Sequence, residues 1–163
     1  MSITQDIVAT YKGPRKVIAR RLAMGLREDR LLAILMAGCA LAFIAQMPVR
    51  AREAHLTGQE LNMLLGGSLL GLIFIAPLLF YTLSLVTHWI AKGLGGKGDS
   101  AQARFALFWA FLAASPLMLL NGLVAGFIGS GVELTLVGGL WFAAFMWFWI
   151  SGMAQSYWAK TGE

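Results

Sequence analysis

The sequence predicts an all-α polytopic membrane protein in which four transmembrane helices follow an amphipathic N-terminal interfacial segment. Three observations carry that expectation. Of 163 residues, 58% are hydrophobic and only 13% are charged, about half the charged share of a water-soluble domain, roughly 25%. The mean hydropathy is +0.71, which excludes a disordered chain and an ordinary soluble enzyme. The apolar residues also lie in four long unbroken runs. Such runs satisfy their backbone groups in lipid as helices, whereas barrel strands alternate polar and apolar residues.

Charge and punctuation set the order of elements. Residues 1–30 form a basic amphipathic segment, residues 31–158 the four-helix domain and residues 159–163 a short tail. In the first segment Ser2 and Gln5 have capping-box spacing, and Ile3, Ile7 and Tyr11 recur along one helical face. Gly13-Pro14 ends that helix and starts another, in which Val17, Ile18 and Leu22 gather opposite Arg15, Lys16 and, in part, Arg20 and Arg21. The segment has no apolar stretch of the roughly 7–15 residues a cleaved secretory signal needs, so it is expected to stay at the membrane surface.

The first span is expected over residues 31–47, slightly short for a hydrocarbon core of about 30 Å unless the stem of Arg30 extends it by snorkelling. The second, over 61–86 with extension to 91, exceeds a perpendicular crossing and calls for tilt or a kink at Pro77. The third, over 105–128, is broken near its middle by Pro116, and the fourth covers 134–153. Residues 48–60, 92–104 and 129–133 are the connectors, short enough to make successive helices antiparallel neighbours. Gly67 with Gly71, and Gly122 with Gly126, have the spacing that lets helices approach closely in lipid. Packing within the chain is the first expectation for both pairs, with oligomer contact and ligand access as alternatives.

Eleven of the thirteen Lys and Arg residues fall in the N-terminal segment, the 92–104 connector and the tail, leaving only Arg50 and Arg52 for the other side. By the positive-inside rule both termini are expected in the cytoplasm. Trp89, Trp147, Trp149, Tyr157 and Trp158 then gather toward the cytoplasmic face as an interfacial belt.

None of the four spans contains Lys, Arg, Asp or Glu. An ionisable group at mid-membrane costs at least about 2.5 kcal/mol and marks an ion path where it occurs, so a proton-coupled pump is not expected. His55 and His88 belong to opposite faces and cannot share a metal or haem; Cys39 is alone in an apolar run. HExxH, CxxC, P-loop and GxSxG patterns are absent. No catalytic residue, metal or cofactor is therefore expected. Polar residues within the spans, Asn121 the most notable, are expected to hydrogen-bond between helices. The basic residues of the first segment point to anionic lipid headgroups rather than nucleic acid, with Arg15, Lys16, Arg20 and Arg21 as headgroup or partner contacts.

The stretches TYKGPRKVIARRLAMGLREDRLLAILMAGCALAF, IFIAPLLFYTLSLVTHWIAKGLGG and FALFWAFLAASPLMLLNGLVAGFIG, with the aromatic last span, resemble the bacterial branch of the Yip1 family. Tyr11-Lys12-Gly13-Pro14 is similar to a Tyr-Gly-Pro element of that family's N-terminal region. Eukaryotic relatives are associated with vesicle trafficking and small GTPases, but the long cytoplasmic N-terminal region they carry has no counterpart here. The resemblance thus implies an integral membrane protein without an assigned reaction. The expected function is that of a non-enzymatic organising or accessory subunit in a bacterial inner membrane, with lipids and other membrane subunits or a second copy as partners. The alternative is a small-solute or lipid transporter or channel that uses the breaks at Pro77 and Pro116.

Overall fold

The computed structural model describes residues 2–160, and every regular element among them is helical. Helix α1 (Ile3–Lys12) starts at a capping box: Gln5 donates its backbone N–H to Ser2 Oγ at 3.3 Å, and Ser2 N–H donates to Gln5 Oε1 at 3.1 Å. Gly13 joins it to α2 (Pro14–Ala23), where Pro14 sits in the first turn and forfeits no helical hydrogen bond. Helix α3 (Glu28–Thr57) is 30 residues long, about 45 Å.

That length departs from expectation, because residues 48–57 belong by sequence to a connector and are helical. Pro48 removes one backbone hydrogen bond, yet no second breaker follows it before Gly58. Arg50 pairs with Glu53 at 2.5 Å and Thr57 Oγ1 donates to the Glu53 carbonyl at 2.7 Å, supporting the extra turns. Gly58, with φ of 72°, ends the helix in the left-handed conformation that glycine adopts without steric cost.

Helix α4 (Leu61–Leu70), a π-helical turn (Gly71–Ile75) and α5 (Ala76–Gly93) form one rod of 33 residues. The widened turn contains Ile73, whose carbonyl Pro77 would crowd in a regular α-helix and could not satisfy. Helix α6 (Ser100–Ala113) opens on a second capping box, Gln102 N–H donating to Asp99 Oδ1 at 2.9 Å. At Ala114 the chain bends by 45° into α7 (Ser115–Phe127), which carries Pro116 in its first turn. Helix α8 (Val132–Tyr157) completes the described structure. By length and apolarity three helices could each cross a membrane, α3, the α4–α5 rod and α8, or four if the bent α6–α7 pair is one span.

The core is built around α6, in which every residue from Phe105 to Ala113 is buried. Phe111 meets Phe80 at a centroid distance of 4.5 Å, and Phe108 meets Tyr81 at 5.0 Å, tying the rod to α6. Gly38 allows the Phe111 ring to lie directly on α3, since a Cβ there would come within 2.6 Å of Phe111 Cδ1. Contacts between α3 and α6–α7 advance in step, from the Glu28–Arg104 ion pair through Gly38–Phe111 and Ala45–Gly122 to Pro48–Gly126. The two therefore run parallel along their whole shared length. The rod stands at the periphery, and only 6% of its most apolar stretch is buried.

Candidate functional site

Helices α1 and α2 fold back on the bundle instead of presenting a simple apolar face to a surface. The expected face of Ile3, Ile7 and Tyr11 is rotated: Ile3 is exposed, while Asp6 and Thr10 are the fully buried residues of α1. The reason is pairing. Asp6 accepts ion pairs from both Arg20 and Arg21, and a buried carboxylate is tolerated only when so engaged. Thr10 Oγ1 donates to the Asp6 carbonyl at 2.7 Å and accepts the indole N–H of Trp109 at 3.2 Å. The guanidinium of Arg21 lies over the Trp109 ring at 5.1 Å, a cation–π contact inside a largely desolvated site.

Tyr11 reaches further into the bundle. Its hydroxyl donates to the Ala113 carbonyl at 2.7 Å, and its ring meets Phe148 edge-on at 4.9 Å. Burial pushes the Tyr11 phenol above its ordinary value, which keeps it a donor. Val17 and Ile18 of α2 are buried beside it, Ile18 lying so close to Gly152 of α8 that a Cβ there would come within 3.1 Å of its Cδ1.

The four basic residues singled out in the sequence thus separate. Arg15 and Lys16 are exposed and have no ion pair among the described residues, whereas Arg20 and Arg21 turn to Asp6. Lys12, also exposed, joins Arg15 and Lys16 around the Gly13-Pro14 corner. Asp6 was missed because its charge interrupts an apolar face; the available signal was that it is the only acid in the first 27 residues, against six basic ones.

The glycine pairs also separate. A Cβ at Gly122 would fall on the Ala45 carbonyl oxygen, and one at Gly126 would come within 2.6 Å of the Pro48 carbonyl carbon, so this pair seats α7 against α3. At Gly67 and Gly71 a Cβ would meet nothing within 4 Å, and the same holds for Gly66. These two glycines instead line a groove of about 330 Å³ with Gln46, Arg50, Ser68 and Leu72. Close backbone approach within the chain is thus present at Gly122 and Gly126 and absent at Gly67 and Gly71. Helix α3 is the neighbour at that level, Arg50 Nε donating to Ser68 Oγ at 2.8 Å, but it does not make the close backbone approach at Gly67 and Gly71 that it makes at Gly122 and Gly126.

At the other end of the rod His88 Nδ1 meets the Tyr157 hydroxyl, which donates to the Asp99 carbonyl at 2.7 Å. Lys97 N–H donates to the Tyr157 carbonyl at 3.0 Å, so this cluster fastens the 94–99 connector to the end of α8. Cys39 is buried in the core. Asn121 lies between α7 and α8, and its Oδ1 is buried without a hydrogen-bond partner among the described residues. Among those residues no three of His, Cys, Asp and Glu form a metal-binding group.

No protein-family model, curated protein or solved structure matches this chain. The geometry offers a docked basic hairpin at one end and an apolar rod with an open glycine face.

Proposed function

We propose that this chain is a non-enzymatic accessory subunit of a bacterial inner-membrane assembly, whose α4–α5 rod receives a transmembrane helix of a partner or of a second copy. One observation carries the reading: the rod is barely buried, and Gly66, Gly67 and Gly71 leave its backbone open on one side. Lipid tails are as apolar as side chains, so helix association in a bilayer depends on close packing, which such a face permits. The equivalent pair on α7 does this inside the chain, against Ala45 and Pro48.

In this proposal the chain has four spans, since α6–α7 keeps step with α3 from the Glu28–Arg104 pair to Pro48 and Gly126. Both termini then share a side, assigned to the cytoplasm by its excess of Lys and Arg. Exposed Lys12, Arg15 and Lys16 face anionic headgroups there. Kinship with bacterial Yip1-like proteins belongs to the same proposal and rests on the sequence stretches quoted above.

The test is native mass analysis of the full chain purified in mild detergent. Wild type is expected to carry a membrane partner or a second copy, and Gly67→Leu with Gly71→Leu to release it. Recovery of wild type only as a lone chain overturns the proposal. A transport reading is favoured by one observation, that the π-helical turn and the Ala114 bend both lie within about two turns of the Phe80–Phe111 contact, toward the same end of the bundle. Saturable solute flux in proteoliposomes would support it.

A further inference from the structure

We infer that the groove between α1 and α3 is a binding site for one anionic phospholipid drawn from the bilayer. The groove encloses about 500 Å³, within the range of roughly 300–1,000 Å³ typical of ligand sites. Ile3 and Ile7 of α1 and Ala37 and Leu41 of α3 supply apolar walls, and Arg21 and Arg30 are its charged members. A smaller cavity of about 50 Å³ also contains both arginines.

The polarity of the groove matches that of a phospholipid. Arg30 stands in the charged first turns of α3, next to Glu28 and Asp29, whereas Leu41 lies in its apolar middle, about 16 Å further along the axis. A phosphate held at Arg30 therefore directs an acyl chain along Ala37 toward Leu41. Ala37 is exposed, so the groove opens sideways to lipid.

Charge complementarity selects an anion. The acids at this end are engaged: Asp6 with Arg20 and Arg21, Glu28 with Arg104, and Asp29 with Arg27 at 3.2 Å. Arg30 has no ion pair or hydrogen bond among the described residues. Arg21 has a buried Nε without an acceptor, although its Nη2 reaches Asp6. A desolvated guanidinium N–H without an acceptor is a standing penalty that a phosphate oxygen relieves. A free phosphate would leave the apolar length of the groove empty, which is why the assigned ligand is a lipid.

The site rests on the bilayer placement proposed above but not on any protein partner, and a lone chain that keeps its lipid would refute the partner without touching the site. The experiment is native mass analysis of the full chain in mild detergent, titrated with phosphatidylglycerol or phosphatidylcholine of identical acyl chains, and with glycerol phosphate as the chainless headgroup. One phosphatidylglycerol is expected to be retained in preference to phosphatidylcholine. Arg30→Gln should lower that retention roughly five- to tenfold, the effect of one basic contact at a membrane surface. Ala37→Phe, which fills the groove, should lower both lipids, while Lys92→Gln with Lys97→Gln, two exposed lysines remote from the groove in sequence and absent from its lining, should leave the bound lipid in place. Unchanged hydrogen exchange in α6 verifies that each variant folds. Equal retention of the two lipids, no change in Arg30→Gln, displacement of the lipid by glycerol phosphate at equal concentration, or an equal loss in the Lys92→Gln, Lys97→Gln variant would each overturn the assignment.

Discussion

The indole N–H of Trp109 donates to the hydroxyl of Thr10 at 3.2 Å, and both side chains are fully buried. This bond keys the N-terminal hairpin to the central helix across 99 positions of sequence. Replacing Thr10 by Val keeps the shape and removes the acceptor. A buried N–H left without a partner costs about 1–3 kcal/mol, so α1 is expected to exchange its amide hydrogens faster in detergent, with α8 unchanged. Equal exchange in the variant would show that the bond does not hold the hairpin.

Asp6→Ala should act on the same hairpin through charge. Removing one partner of a fully buried pair costs about 3–5 kcal/mol. Here the Arg20 side chain is 43% exposed and that of Arg21 18%, so solvent screens the loss. An effect of about 1–3 kcal/mol is expected for hairpin docking, read as hydrogen exchange over residues 3–23. Asp6→Asn should be milder, because the amide oxygen still accepts from one guanidinium.

The two glycine pairs should respond oppositely to a larger side chain. Gly126→Leu drives a side chain into the Pro48 backbone and should cost about 1–3 kcal/mol in thermal or denaturant unfolding of the detergent-solubilised chain. Gly67→Leu meets open space, and the stability of the lone chain should stay within about 0.5 kcal/mol. A matching loss at both positions would mean that the rod packs on the bundle more closely than its exposure indicates.

Alkali should release the hairpin through Tyr11. Burial raises its phenol above the usual value near 10, so the docked state favours the neutral, donating form. That contribution is fully present below about pH 10 and is lost as the pH climbs through the raised folded value. Protection of α1 should hold from about pH 7 to 9 and fall above about pH 10. Tyr11→Phe should lower protection at neutral pH and remove the tyrosine-dependent part of the alkaline fall.

How much of this is legible in the sequence varies by element. The Ser2–Gln5 box, the Gly13-Pro14 corner and the boundaries near Leu61 and Ser115 follow from local chemistry and are all found at the ends of helices. The Asp99–Gln102 box had the same signature but lay in a stretch assigned to a connector. The extension of α3 beyond Pro48 was hidden because one proline weakens a helix without stopping it. Of the candidate groove, the line from Arg30 through Ala37 to Leu41 could be drawn on a helical wheel of α3, but nothing in that line indicates that Ile3 and Ile7 form the opposite wall.

What the sequence by itself determined is the material: helices, apolar enough to cross a membrane, with charges collected outside the apolar runs. Those properties depend on residues a few positions apart, whose spacing is set by the helix itself. The tertiary structure decided which faces are used. It buried Asp6 rather than Ile3, seated Gly122 and Gly126 on α3 while leaving Gly67 and Gly71 open, and enclosed α6 on every side. Each of these choices pairs residues tens of positions apart, and a helical period cannot say which of two similar faces will find a partner. Only the packing of one helix against another supplies the acceptor for Trp109, the counter-charge for Arg21 and the space for Phe111 over Gly38.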